Sequence, residues 1–123
     1  MAQRVEISQL ASPCMARRRG EEAYEALVTY LRKGPVDILL DGVGIVSTSF
    51  LDALVCNLSR AGQTDAVSFV SGDPSILDKL ARISGARSVT ISARSANGKR
   101  YRVTPMMSTE YKPEFVTDKI YAD

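Results

Sequence analysis

Histidine and tryptophan are absent from this chain of 123 residues, and cysteine occurs only twice. Histidine is the usual general base near neutral pH and the commonest metal ligand in proteins. Its absence excludes most hydrolase designs. The two cysteines, Cys14 and Cys56, lie in different predicted elements and are too few for a disulfide scaffold, so we interpret both as free thiols. We therefore expect a protein that is not an enzyme and that holds no cofactor and no metal ion.

Long apolar runs are also lacking. No segment approaches the roughly 20 consecutive apolar residues that a membrane helix needs, and the N-terminal residues lack the apolar stretch of a secretory signal peptide. The sequence therefore predicts a soluble, cytoplasmic protein without membrane contact.

A large excess of one charge is missing as well. Lysine and arginine total 16 against 14 acidic residues, which leaves a formal net charge of +2. The field of the whole protein is then too weak to indicate a nucleic-acid binder. Apolar residues make up 45% and charged residues 24%, as in ordinary globular domains, and the length suits one domain with one core.

Apolar periodicity and turn residues divide the chain into alternating strands and helices. Strands are predicted at 4–7, 36–40, 66–70, 89–95 and 100–104, and helices at 12–33, 49–60 and 73–85. The run 36–40 is almost entirely apolar, which is typical of a central strand covered on both faces. Asn97 and Gly98 separate the last two strands and indicate a β-hairpin. The prediction is an α/β domain over 1–105, with helices packed against a small mixed sheet and a C-terminal β-hairpin, followed by a tail over 106–123.

A resemblance to a known family lies in the middle of the chain. Residues 38–54 read ILLDGVGIVSTSFLDAL: a strand ends in the acidic Asp41, a Gly-Val pair follows, and Ser-x-Ser-Phe opens a helix. This segment resembles the strand, loop and helix of STAS-like domains, relatives of the anti-sigma-factor antagonists, and particularly the uncharacterised STAS-like group of bacterial proteins. Arg17 and Gly20 are similar to an Arg-x-x-Gly pattern on the first helix of that group, and the resemblance extends over about residues 15–95.

The resemblance implies helices packed on a small sheet and a functional loop at the start of the second helix. In anti-sigma-factor antagonists that loop reads Asp-Ser-Ser-Gly, and a partner kinase phosphorylates a serine there to switch binding off. By position, Ser49 matches the phosphorylated serine and Thr48 its neighbour, whereas Ser47 and Phe50 stand where the family has aspartate and glycine. Together with Leu51, these residues form the predicted phosphorylation and partner-binding segment. The implied function is a non-enzymatic signalling module, and the implied partner is a protein, an ATPase of the histidine-kinase type.

The same serines also have a simpler structural interpretation. Ser49-x-x-Asp52 resembles a capping box, in which a serine side chain accepts a hydrogen bond from a backbone N–H of the first turn. A serine or threonine before an apolar helix is more often a cap than a regulated residue. A helix start also accommodates a phosphate, because its first N–H groups are unpaired at the positive end of the helix dipole. Both interpretations of Ser47, Thr48 and Ser49 stay open at this stage.

Two basic groups are candidates for binding anions. Arg17, Arg18 and Arg19 form the first, since clustered guanidinium groups favour bidentate phosphate contacts, but glutamates at 21, 22 and 25 would make this run a solvated helix face. The second group surrounds the hairpin and consists of Arg94, Lys99, Arg100 and Arg102. This second group could lie next to the first in the folded protein, or its charges could merely keep an exposed edge strand from pairing with other chains. The alternative function is therefore a nucleic-acid-associated or defence-related accessory protein, with nucleic acid as the less favoured partner.

A carboxylate site for Mg²⁺ would need Asp37, Asp41 and Asp52 close together. Asp37 and Asp41 are separated by an apolar strand, and no phosphate-binding glycine loop accompanies them, so no metal site is predicted. Cys56 follows an apolar helical stripe and is interpreted as inert core, with Cys14 the more open to oxidation.

Overall fold

The structure, a computed structural model, describes residues 2–95 and 97–105. Within these residues the chain forms a small α/β fold with a five-stranded mixed sheet and three α-helices. The strands are β1 (Gln3–Glu6), β2 (Val36–Leu39), β3 (Val67–Ser71), β4 (Ile91–Ser95) and β5 (Arg100–Val103). The helices are α1 (Arg17–Leu31), α2 (Thr48–Arg60) and α3 (Pro74–Arg87), with short 3₁₀ turns at Ile7–Gln9 and Thr64–Ala66. The predicted tail, 106–123, lies outside the described residues.

The strands follow one another across the sheet in chain order. The first four are parallel, and β5 is antiparallel to β4. Each connection between two parallel strands therefore leads to the next strand on the same side, and connections of this kind are right-handed in nearly all proteins. As a result α1, α2 and α3 lie on one face of the sheet, and α2 contacts both of the other helices. The predicted small mixed sheet with packed helices and a C-terminal hairpin is confirmed at this level.

The core lies between that face and the helices. One row of directly paired side chains crosses all five strands, and every member is buried: Val5, Ile38, Phe69, Ala93 and Tyr101. Because strand side chains alternate between faces, the residues next to this row point to the opposite face.

On the opposite face, β2 carries Asp37, which pairs with Arg94 of β4 at 2.7 Å. Ser68 and Ser92 are the register partners that link Asp37 across β3 to β4, and their small side chains leave room for the guanidinium group to reach over. Helices cover only the other face in the described part of the chain. Val36, Asp37 and Ile38 are nevertheless all buried, so β2 is shielded from solvent on both faces along these residues, but it is the second of five strands and not the central one.

The start of α1 and the end of α3 differ from the predictions for an identifiable backbone reason. Helix α1 begins at Arg17 and not at residue 12, because Ala16 has φ 77°, outside the helical region. Helix α3 begins after Asp73, as predicted, but continues through Gly85 and ends where Ser88 adopts the left-handed conformation with φ 54°. Glycine lowers helix stability without by itself stopping a helix, so the left-handed residue sets the end.

The hairpin between β4 and β5 has the predicted turn. The Ser95 N–H donates to the carbonyl oxygen of Lys99 at 2.8 Å, and Gly98 adopts φ 92°, a value that glycine reaches without strain. None of the helices in residues 2–95 and 97–105 has the length and apolarity required to cross a bilayer.

Candidate protein-binding surface

The predicted functional segment lies where α2 begins, at the carboxyl end of β2. Ser47 is the N-cap of α2, because its Oγ accepts from the backbone N–H of Phe50 at 3.1 Å. The capping box predicted at Ser49 and Asp52 is therefore wrong, and the capping role falls to Ser47. Thr48 and Ser49 are exposed to solvent at the first turn.

Phe50 and Leu51 are fully buried in the core. The prediction that these two side chains contact a partner is wrong, since α2 turns them toward the sheet on the same side as Leu54 and Leu58. The surface that this segment offers is reduced to its two exposed residues, Thr48 and Ser49, whose roles stay predictions.

The segment 14–16 is hydrogen-bonded to Ser47. The Ser47 N–H donates to the carbonyl oxygen of Cys14 at 2.9 Å, and the Ala16 N–H donates to Ser47 Oγ at 3.2 Å. Met15, between them, is 45% exposed, and Ile45, two residues before Ser47, is 67% exposed. These are the exposed large hydrophobic residues of the described chain. We call Met15 and Ile45 the apolar rim. Neither was singled out from the sequence, because local pattern cannot tell an exposed loop residue from a buried one.

An open groove runs beside the first turn of α2. It has a volume of about 410 Å³, and we call it the basic groove; its charged and hydroxyl side chains are Arg17, Thr48, Ser49, Asp52, Arg82 and Arg87. The three arginines come from two different helices, with Arg17 at the start of α1 and the other two near the end of α3. Arg82 and Arg87 were missed in the sequence, since nothing local associates them with the start of α2.

Asp52 connects the three helices at one side of this groove. Arg87 donates from Nε to Oδ1 at 2.8 Å and from Nη2 to Oδ2 at 2.6 Å, and Arg17 Nη2 also donates to Oδ2. The hydrogen bonds from Arg87, and secondarily those from Arg17, lower the pKa of Asp52 to about 2 although burial opposes the shift. The same contact raises the pKa of Arg87. The carboxylate is 13% exposed, whereas the two guanidinium-bearing side chains remain 48% and 38% exposed for Arg17 and Arg87.

The other two arginines of the first basic run have different surroundings. Arg19 pairs with Glu22 at 2.7 Å, and Arg18 approaches the same carboxylate at 3.6 Å. Arg18 lines a groove that it shares with three glutamates, Glu21, Glu22 and Glu25. The interpretation of a balanced helix face therefore applies to Arg18 and Arg19, and only Arg17 faces the basic groove.

The arginines of the hairpin lie in another layer of the molecule. Tyr101 and Val103 point into the core, so Arg100 and Arg102 point to the opposite face of the sheet. The suggestion that the two basic groups join in space is wrong, because the first group belongs to the helical layer.

The three aspartates considered as metal ligands have separate partners. Asp37 pairs with Arg94, Asp52 with two arginines, and Asp41 accepts from Ser71 Oγ at 2.7 Å and from the Gly72 N–H at 2.8 Å. No group of three histidine, cysteine or acidic side chains that could hold a metal occurs between residues 2 and 105, residue 96 left aside.

The environments of the two thiols are the reverse of the expectation. Cys14 is buried, which raises its pKa, whereas Cys56 is partly exposed. The hydrogen bond from the Ser47 N–H to the carbonyl oxygen of Cys14 holds this part of the chain against the start of α2.

Comparisons with protein-family models, with curated protein sequences and with solved structures found no match to this chain. The residues that the structure describes form a small α/β fold with a five-stranded mixed sheet and three α-helices on one face. Its most distinctive surface combines the apolar rim, two exposed hydroxyl groups and the basic groove.

Proposed function

We propose that this protein is a non-enzymatic signalling module of the STAS-like kind, which binds a protein partner through the apolar rim together with Thr48 and Ser49. The observation that carries the proposal is the exposure of Met15 and Ile45 beside these hydroxyl groups. The sheet with helices packed on it and the exposed loop before α2 are in keeping with the STAS-like resemblance.

Two exposed apolar side chains supply useful binding energy only if the loops that hold them are already ordered. Burying one side chain of this size contributes about 1.5–3 kcal/mol, and ordering a loop on binding offsets much of that gain. Here hydrogen bonds hold both loops in place. The carbonyl oxygen of Cys14 accepts from the Ser47 N–H, and Lys79 Nζ donates to the carbonyl oxygen of Val46 at 2.6 Å. The surface is therefore preorganised for a partner.

Phosphorylation at Ser49 would act on this surface directly. In the proposed step, Ser49 Oγ attacks the γ-phosphorus of ATP held by a histidine-kinase-type ATPase, ADP leaves, and the hydroxyl proton passes to a base of that kinase. The product carries about −1.5 to −2 additional charge within the contact surface, which is enough to alter an interface without unfolding the domain. The proposal includes a cytoplasmic location, because the step requires a partner supplied with ATP.

The test begins with affinity purification of the tagged protein from its host and mass spectrometry of the captured proteins. Each captured protein is then purified, and its dissociation constant is measured with the wild type, with Ile45→Asp and with the control Thr29→Asp. Thr29 is exposed near the far end of α1, away from the rim. We expect Ile45→Asp to weaken binding at least tenfold, equivalent to about 1.4 kcal/mol, and the control to leave it unchanged.

Equal affinity of all three proteins for every purified partner would refute the proposal. Phosphate on Ser49 or Thr48 in the purified protein would support the switch. Unmodified hydroxyl groups together with nucleic acid in the eluate would instead favour the nucleic-acid-associated function.

A further inference from the structure

We propose that the basic groove binds an acidic side chain of the partner, so that the partner segment recognised here combines apolar residues with a glutamate or aspartate. This inference rests on the proposed function and specifies the chemistry of the partner. It follows from three features of the groove: its charge, the hydrogen-bond donors it presents and its position next to the apolar rim.

The charge of the groove is positive after its internal pairs are counted. Three arginines and one aspartate line it. Arg82 pairs with Asp78 at 3.2 Å, whereas Arg17 and Arg87 share the single carboxylate of Asp52, so these two guanidinium groups and Asp52 together keep one unit of positive charge. An entering carboxylate would neutralise that charge, whereas a lysine or arginine would be repelled.

Hydrogen-bond donors remain available after Asp52 has been satisfied. Each guanidinium group carries five N–H donors, and Asp52 accepts three hydrogen bonds from Arg17 and Arg87 together. Both arginine side chains are still more than one third exposed, at 48% and 38%. The contact with Asp52 also holds the Arg87 guanidinium in place, which lowers the entropy lost when a second carboxylate binds. Thr48 and Ser49, which also line the groove, add two hydroxyl donors.

The size and position of the groove decide the kind of anion. A volume of about 410 Å³ is open to solvent and accommodates a whole acidic side chain with part of its backbone. Thr48 and Ser49 line the groove and follow directly on the chain from Ser47, which is bonded to the loop carrying Met15. A single extended segment can therefore cover the apolar rim and place a carboxylate in the groove.

The arrangement also sets the sign of a switch at Ser49. A phosphoryl group on this residue would compete for the same guanidinium groups that the acidic segment uses. Phosphorylation is then expected to weaken partner binding and not to strengthen it.

The inference can be tested on the isolated protein with NMR. The ¹⁵N-labelled full chain is titrated with a blocked tetrapeptide of sequence leucine, glutamate, glutamate, leucine, and separately with the same peptide carrying glutamines. We expect the acidic peptide to shift the amide signals of Thr48 and Ser49 and the Nε signal of Arg87, and the glutamine peptide to bind at least fivefold more weakly. Equal shifts with both peptides, or shifts confined to other residues, would overturn the inference.

Three variants that each remove one positive charge assign the effect to the groove. We expect Arg87→Gln and Arg82→Gln to weaken binding of the acidic peptide about fivefold to tenfold, and Arg18→Gln to leave it unchanged. Arg18 is 88% exposed and lies outside the groove, so it controls for net charge. The three hydrogen bonds from Arg17 and Arg87 to Asp52 stay in place in Arg82→Gln, so this variant keeps the test valid if Arg87→Gln does not fold. A loss of affinity as large in Arg18→Gln as in Arg82→Gln would contradict the inference.

Inorganic phosphate at the same concentration separates a small-anion site from a peptide site. If phosphate produces the shifts and the acidic peptide does not, the groove is a site for small anions and the inference is overturned. The titration needs no natural partner. If the acidic peptide does not bind but Ile45→Asp strongly weakens partner binding, the inference about the groove is rejected and the proposed function stands. If the acidic peptide binds but Ile45→Asp leaves partner binding unchanged, the proposed function is rejected.

Discussion

Gly20 lies where α1 crosses α2, and replacing it by alanine tests the packing of these two helices. A Cβ atom at this position would lie 2.3 Å from the carbonyl oxygen of Phe50 and 2.8 Å from Cβ of Ala53. The first of these atoms belongs to the backbone, so no side-chain rotation relieves the overlap. The two helices would have to separate by about 1 Å to restore an ordinary carbon–oxygen contact of roughly 3.3 Å.

The expected loss of stability follows from two opposing terms. Overpacking a core typically costs about 1–3 kcal/mol, and the rigid backbone neighbour places this case at the upper end. Alanine has a higher helix propensity than glycine, which returns about 1 kcal/mol. We therefore expect Gly20→Ala to lower the free energy of unfolding by about 2 kcal/mol and the melting temperature by about 8 °C.

The measurement is urea unfolding followed by circular dichroism at the helix band, with thermal melts in parallel. The control is Thr29→Ala, which makes a smaller gain in helix propensity at an exposed position of the same helix. It should raise the free energy of unfolding by about 0.5 kcal/mol. If Gly20→Ala were as stable as the control, α1 and α2 could not approach each other as described, and the reasoning would fail.

Three further predictions concern polar contacts. Asp52→Asn should lower the free energy of unfolding by about 1–2 kcal/mol at pH 7, discounted for the exposed guanidinium groups. Because the pKa of Asp52 in the folded protein, about 2, lies below its ordinary value, this contribution to stability is present above about pH 4 and is lost as the pH falls toward 2. If urea unfolding showed the same difference in free energy of unfolding between wild type and variant from pH 4 to pH 2, the ion pairs of Asp52 would not be its cause. Ser47→Ala should lower the free energy of unfolding by about 1 kcal/mol and Ser49→Ala by less than about 0.5 kcal/mol. The opposite order in urea unfolding would show that Ser49, and not Ser47, caps α2. Arg94→Met should lower the free energy of unfolding by about 2 kcal/mol, because it leaves the Asp37 side chain, 10% exposed, without its partner. Adding Asp37→Asn should recover most of this loss in thermal melts, and a double variant no more stable than Arg94→Met would contradict this explanation.

The sequence predicted the elements of this fold well where the signal is local. The start of α3 follows from Asp73 and Pro74, because a capping side chain and a proline with a suitable φ act within one turn. The hairpin follows from Asn97 and Gly98 for the same reason, since turn geometry depends on a few adjacent residues. The alternation of apolar strands with amphipathic helices predicts a layered α/β domain.

The start of α2 shows how two sequence signals can disagree. The spacing of Phe50, Leu54 and Leu58 indicates a buried stripe, whereas the family resemblance placed Phe50 in an exposed functional segment. The structure decides for the stripe, because the helix can turn only one face toward the sheet. Thr48 and Ser49 are left on the outer face by the same rotation.

By itself, the sequence determined the order and type of the elements and the absence of histidine chemistry, because these depend on composition and on neighbours within a turn or two. Only the tertiary structure decided which residues meet at the candidate site. Asp52 lies 35 residues from each of its two arginine partners, Asp37 lies 57 residues from Arg94, and the hydrogen bond from the Ala16 N–H to Ser47 Oγ spans 31 residues. Contacts over such separations are set by the order of the strands and by the face on which the helices lie, and local periodicity contains no record of either.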